Sequence, residues 1–68
     1  MDYSFLANTL QPLHAHSVQE VLVAVCPKVE AVTVANHCKP AVIFVHCSEN
    51  LTENELILLK DGIITLEG

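Results

Sequence analysis

Near the start of the chain, hydrophobic residues recur among polar ones at the spacing of a helix. Phe5, Leu6 and Leu10 are spaced for one helix face and precede Pro12. Because the residue before a proline disfavours helical backbone, the helix should end shortly before Pro12. The pattern therefore predicts a short amphipathic helix over residues 3–10.

A second helix is predicted after Ser17-Val18-Gln19-Glu20, which has the form of a capping box. The apolar residues that follow recur at i, i+3, i+4 and i+7 and stop before Pro27: Val18, Val21, Leu22 and Val25. A buried strand is the alternative, because Val21, Val23 and Val25 are β-branched. We favour the helix, since the box and the spacing agree.

Two strands are predicted in the middle of the chain. Residues 29–35 mix β-branched and small residues, and residues 41–46 begin with a continuous apolar run after Pro40. Residues 36–40 between them are short enough for a hairpin loop, so the two strands should pair antiparallel. The run at 41–45 has the composition of a strand that is covered on both faces.

The C-terminal segment contains the strongest local signal. Thr52-Glu53-Asn54-Glu55 is a second capping box, and Leu51 before it can pack on Leu56 as a hydrophobic staple. Gly62 is a typical helix stop. These features predict a helix from Glu53 to about Lys60.

A final strand is then predicted at residues 63–66. The alternative is a hairpin, because Asp61-Gly62 is also a two-residue turn signal between residues 57–60 and 63–66. We favour the helix, since box, staple and acidic first turn agree.

Together these elements predict one α+β domain over residues 1–68. Its sheet should be small and mostly antiparallel, with about three strands and two or three short helices on one face. An edge strand with few charges, such as residues 41–45 or 63–66, would be a natural place for a second copy or a partner to add a strand.

The composition indicates more apolar surface than one small domain can bury. The chain is 51% hydrophobic, and its mean hydropathy is +0.44. A monomer of this size leaves much of its surface in water, because surface-to-volume scaling limits the core. Self-association as a homodimer or a higher oligomer would cover the excess.

Charge argues against some partners. Three Lys and Arg stand against eight Asp and Glu, for a net charge of −5. Without a basic patch to neutralise phosphates, we expect no binding to nucleic acid. The acidic residues of the C-terminal third could instead steer the protein to a basic partner.

Histidine and cysteine are the only candidates for metal chemistry. The potential ligands are His14, His16, Cys26, His37, Cys38, His46 and Cys47. A zinc or copper site would need several of these side chains to converge on one ion. If residues 41–46 are extended, the two His-Cys dipeptides lie roughly 20–30 Å apart. We therefore expect no metal or other cofactor, and a metal-binding or metal-sensing protein is the alternative.

Catalytic and membrane signals are weak. Glu53 and Glu55 are the only closely paired carboxylates, and residues two apart on a helix face different directions. With glycine only at Gly62 and Gly68, a phosphate-binding loop is not expected.

The longest apolar runs are far shorter than the ~20 residues of a membrane span. The chain has three cysteines without close spacing. This cysteine content suits a reduced, cytoplasmic protein.

The sequence thus favours a small acidic adaptor, regulator or inhibitor that self-associates and binds a protein partner without catalysis. An accessory subunit of a larger enzyme is a weaker possibility. The residues that we predict to carry the interaction are apolar strand residues and acidic helix residues, with one from the predicted last strand: Val42, Phe44, Glu53, Glu55 and Ile63.

Overall fold

The computed structural model describes residues 1–67. Its elements are, in chain order, β1 (Asp2–Ala7), α1 (Ala15–Val25), β2 (Val29–Ala35), β3 (Ala41–Cys47) and α2 (Glu53–Leu66). The strands form one antiparallel sheet in the order β1-β3-β2. The predicted α+β class, with three strands and two helices, is confirmed.

The first element is a strand, so the helix predicted over residues 3–10 is wrong. Tyr3, Phe5 and Ala7 alternate toward the helices and are half-buried or buried, whereas Ser4 and Leu6 are exposed. The strand pairs with β3 from Asp2 to Ala7. Leu6 hid the alternation of apolar and polar residues that is typical of a strand. It is apolar, although it lies on the exposed side of β1, where a polar residue is expected.

α1 forms as a helix and ends before Pro27, as the apolar spacing predicts. The predicted capping box is wrong, because the helix begins at Ala15 and Ser17 lies within its first turn. The N-cap residue is His14, whose side chain makes no capping hydrogen bond. Burial of Val18 and Leu22 against the core accounts for this helix better than its cap does.

β2 and β3 form the predicted hairpin, but β3 lies in the centre of the sheet rather than at an edge. It pairs with β1 on one side and β2 on the other, so residues 41–45 are not available for strand addition. The register of β2 shifts between Val29 and Ala31, where Glu30 forms a β-bulge.

α2 begins where the sequence predicts. The Glu55 amide donates to Thr52 Oγ1 at 3.2 Å, and the Thr52 amide donates to Glu55 Oε1 at 2.8 Å, which completes the capping box. The helix continues to Leu66, so both the predicted final strand and the alternative hairpin are wrong.

Gly62 lies inside α2 and does not end the helix. It instead allows α2 to pack closely against α1. A Cβ atom at this position would lie 3.3 Å from Leu22 Cδ2 on α1. The missing side chain thus lets the two helices approach each other, and α2 can lay Leu59 and Ile63 into the core. The core lies between the helix pair and one face of the sheet, and β3 contributes its centre through Ile43, Val45 and Cys47.

Candidate protein interface

Both helices cover the same side of the sheet and leave the opposite side open. Three rows of directly paired residues point away from the helices. We call this surface the open face; its rows are Asp2–His46–Ala31, Ser4–Phe44–Thr33 and Leu6–Val42–Ala35. Every residue of the open face is exposed or half-buried.

The open face carries an apolar cluster of Leu6, Val42 and Phe44, and Ser4 and Thr33 flank Phe44. Leu6 is 64% exposed and Phe44 is 49% exposed, and Val42 between them is half-buried. An antiparallel sheet with one solvated face normally carries polar residues there. Contiguous exposed apolar side chains instead mark a contact surface.

One end of the open face carries a histidine between two carboxylates. His46 Nδ1 lies 2.6 Å from Asp2 Oδ1, and His46 Nε2 lies 3.5 Å from Glu30 Oε1. The hydrogen bond with His46 is the main reason why the pKa of Asp2 is lowered from its usual value. All three side chains are more than half exposed, so the ion pairs themselves add little stability. The N-terminal ammonium group of Met1 lies at the same end and donates to the Cys47 carbonyl at 2.9 Å, so the end carries charges of both signs.

Of the five residues predicted to carry the interaction, Val42 and Phe44 lie together on the open face. Glu53 is exposed in the first turn of α2, on the other side of the sheet. Glu55 completes the capping box and binds Lys28, and Ile63 is 2% exposed in the core. The five residues therefore do not form one surface.

Leu6 belongs to the open face, and the sequence prediction missed it. The error follows from the helix assigned to residues 3–10, in which Leu6 and Leu10 shared a face. Tyr3, Phe5 and Ala7 at alternating positions were the signal that could have revealed the strand.

A charged cluster lies on the covered side, where the C-terminal end of α1 meets the start of α2. Lys28 Nζ lies 3.0 Å from Glu55 Oε1 and 3.2 Å from Glu49 Oε1. Hydrogen bonds to Glu55 and Glu49 raise the pKa of Lys28. The pKa of Glu55 is lowered, first by the Thr52 amide and then by Lys28. Both groups are held charged, which suits a structural clamp better than proton transfer.

The two buried cysteines lie near this clamp. Cys26 Sγ is 3.8 Å from Glu55 Oε2, and Cys47 packs in the same core. Burial raises the pKa of the Cys47 thiol. Because the thiolate is the nucleophile, a buried thiol with a raised pKa is a poor catalyst.

The candidate metal ligands are spread over the molecule. His14 occupies the N-cap position of α1, and His16 Nε2 on the same helix lies 3.0 Å from Glu20 Oε1. His37 and Cys38 lie in the hairpin loop, whereas His46 and Cys47 project to opposite faces of β3. Within residues 1–67, no group of three or more His, Cys, Asp or Glu side chains is placed to hold a metal ion.

An open concavity of about 800 Å³ lies at the end of the sheet opposite His46. It is formed by the segment after β1, the hairpin loop and the end of α2, and its lining includes Asn8, Asn36, Lys39 and Glu67. The backbone N–H of Asn8 donates to Glu67 Oε2 at 2.6 Å. Among the ion pairs of the described residues, none involves Lys39.

Comparison with protein-family models, with curated proteins and with solved structures found no match to this chain. In the part of the chain that the structure describes, no helix combines the length and the apolar character needed to cross a membrane. The chemistry of the surfaces themselves is therefore the basis for a functional proposal.

Proposed function

We propose that this protein is a small, acidic, cytosolic interaction module that self-associates and binds a protein partner, without catalysis of its own. The observation that supports the proposal is the apolar cluster of Leu6, Val42 and Phe44 on the open face. Full burial of a Leu or Phe side chain is worth about 1.5–3 kcal/mol, so covering Leu6 and Phe44 supplies a driving force for association.

The side chains of the open face are a better contact surface than the edges of the sheet. β2 has a β-bulge and the charged Glu30 at its outer edge, and β1 begins with Asp2. Bulges and charges at sheet edges discourage the addition of another strand. Association should therefore use the open face, by packing one sheet on another.

The outer side of α2 suits a second, basic partner. Ile57 is 56% exposed and Ile64 is 61% exposed, and they lie seven residues apart on the side of α2 away from the core. Glu53 and Asp61 are exposed on the same helix, with the single cation Lys60 between Ile57 and Ile64. With the net charge of −5, this surface would attract a partner that carries basic residues around an apolar patch.

The test of self-association is sedimentation equilibrium over a range of protein concentrations. We expect the unmodified chain to form dimers or higher oligomers, and Phe44→Glu to be monomeric, because a buried unpaired carboxylate opposes association. Leu6→Glu should act in the same way and tests the face from an edge strand. Ile57→Glu is the matched control, since it removes an exposed apolar side chain from α2 and should still associate.

Circular dichroism must show that each variant is folded. A chain that stays monomeric at every concentration would refute the proposed self-association. If Phe44→Glu and Leu6→Glu still associate while Ile57→Glu does not, the association surface lies on α2 and the open face has been wrongly assigned.

A further inference from the structure

β1 is an edge strand, and its pairing with β3 fixes which of its backbone groups point outward. At its start, the Cys47 amide donates to the Met1 carbonyl at 2.7 Å, and the Met1 ammonium group donates to the Cys47 carbonyl at 2.9 Å. Along an antiparallel ladder, such doubly bonded pairs alternate with pairs that share no hydrogen bond. Three residues of β1 therefore turn their N–H and C=O groups away from β3: Asp2, Ser4 and Leu6.

This outward edge has a defined length. Its register with β3 is continuous, and the side chains of Asp2, Ser4 and Leu6 are exposed. The next outward group along the chain is the backbone N–H of Asn8, which already donates to Glu67 Oε2. Since strands add at regular unpaired edges, the part of β1 that can accept another strand is these three residues.

A second copy of β1 fits this edge in one symmetric register. If two copies pair antiparallel about a two-fold axis at Ser4, Ser4 would lie opposite Ser4 of the other copy, and Asp2 opposite Leu6. Every outward N–H and C=O group of both copies would then be hydrogen-bonded. Moving the axis to Tyr3 leaves Leu6 without a partner, and moving it to Phe5 leaves Asp2 without one. The backbone therefore selects the axis at Ser4.

The side chains favour the same register. On the helix side, Tyr3 would lie opposite Phe5 of the other copy, and both side chains are half-buried within one chain. Aromatic residues that face each other across two strands stabilise the pair. On the open face, Asp2 would lie opposite Leu6 rather than another carboxylate, and Asp2 Oδ1 is turned toward β3, 2.6 Å from His46 Nδ1. The charge that discourages other strands at this edge is thus accommodated when the added strand is β1 itself.

Pairing through β1 is compatible with packing through the open face. A two-fold axis perpendicular to the sheet keeps the open faces of both copies on the same side, so Leu6, Val42 and Phe44 stay available. Three residues from each copy make a short contact, and small interfaces are weak. The β1 contact should therefore add to association through the open face rather than replace it.

We infer that the outer edge of β1 is a second self-association site, occupied by β1 of another copy that is paired antiparallel about Ser4. This inference rests on the proposed self-association and adds a separate surface to it. Two copies joined in this way form one six-stranded sheet, because each contributes three strands. Two such sheets packed through their open faces make a tetramer.

Disulfide trapping tests the β1 contact without the open face. Ser4→Cys is made together with Cys38→Ser, which removes the partly exposed thiol, and Phe44→Glu, which blocks the open face. Two residues on the axis lie about 5.5 Å apart between Cα atoms, within the roughly 4.4–6.8 Å that a disulfide spans. Oxidised glutathione should therefore link the variant into a covalent dimer.

Thr33→Cys in the same background is the matched control. Thr33 lies in the same row as Ser4 and is exposed, but it is on β2. Across the six-stranded sheet, the two Thr33 positions would be roughly 24 Å apart at ordinary strand spacing. We expect Ser4→Cys to crosslink at least about tenfold faster, because pairing raises the effective concentration of its thiols. Equal rates would refute the β1 contact, whatever the open face does.

A second pair of variants tests the tetramer. Ser4→Pro removes an outward N–H and suits an edge strand whose N–H faces solvent, whereas Ser4→Ala keeps the N–H. In sedimentation equilibrium, Ser4→Pro should stop at the dimer and Ser4→Ala should form the same tetramer as the unmodified chain, with circular dichroism to show that both are folded. Tetramers that survive Ser4→Pro would refute the β1 contact and leave the proposed self-association standing. A monomeric unmodified chain whose Ser4→Cys variant still crosslinks rapidly would refute the open-face contact and support the one at β1.

Discussion

The two faces of the central strand β3 both carry large apolar side chains, but their surroundings differ. On β3, Ile43, Val45 and Cys47 are at most 1% exposed, whereas Phe44 on the same strand is 49% exposed. The apolar run at 41–45 predicts cover on both faces, and the chain supplies cover on one. The difference shows that part of the exposed apolar surface lies on the open face, at Leu6 and Phe44, while another part lies on the helices, for example at Ile57 and Ile64.

The covered face is held by the helix layer. α2 is fastened at its start by the capping box and by Lys28, and α1 is packed against it at Gly62. These contacts position the side chains that close the core, such as Leu22 and Leu59. The open face has no such layer, so its side chains contribute less to the core, and we propose that they serve association instead.

The strongest test of this comparison is a pair of truncations on β3. Ile43→Ala should lower the free energy of unfolding by about 2–5 kcal/mol, because it leaves a cavity in the core. Phe44→Ala should cost only about 1 kcal/mol, because its side chain is half in water. Urea unfolding at a concentration where the chain is monomeric measures both. Equal losses would contradict the view that the open face is uncovered within one chain.

Thiol reactivity separates the covered core from the loops. Cys26 and Cys47 are 1% exposed, and Cys38 in the hairpin loop is partly exposed. We expect Cys38 to react rapidly with a chromogenic thiol reagent and the other two to react roughly a hundredfold more slowly, because they need an opening of the core. Cys38→Ser should remove the fast phase. A fast phase of two or three thiols would show that the helix layer is loose.

Acid should weaken the helix layer by a smaller amount. The folded-state pKa of Glu55 is lowered from its ordinary value of 4.5, so the ionised carboxylate stabilises the fold above that pH. This contribution is lost as the pH falls from about 4.5 through the folded-state pKa. Glu55→Gln keeps a capping-box side chain but removes the charge beside Lys28.

Thermal unfolding as a function of pH should therefore be less acid-dependent in Glu55→Gln than in the unmodified chain. Glu53→Gln is the control, because it removes a carboxylate from the same turn without touching Thr52 or Lys28. Identical pH dependence in all three proteins would show that the clamp contributes nothing to the helix layer.

Local chemistry made part of the fold predictable. The start of α2 followed from Thr52 and Glu55, because a capping box satisfies the first helical amides with neighbouring side chains. The β2–β3 hairpin followed from two β-rich runs and a short loop. Such interactions involve residues only a few positions apart, so their pattern is visible in the sequence.

The candidate interface was predicted only in part. Val42 and Phe44 were expected to carry an interaction, but by strand addition at an edge. β3 is central, so these residues can act only through their side chains on the open face. Leu6 was missed because its role depends on pairing with Val42, which is distant in sequence.

By itself, the sequence determined the α+β class, the N-terminal end of α2 and the β2–β3 hairpin. Only the tertiary structure decided that residues 2–7 form a strand, that β3 is central and that Gly62 lies inside a helix. The physical reason is the range of the interactions. Caps and turns act between neighbours, whereas strand order, helix approach and the identity of the uncovered face depend on contacts between residues far apart in the chain.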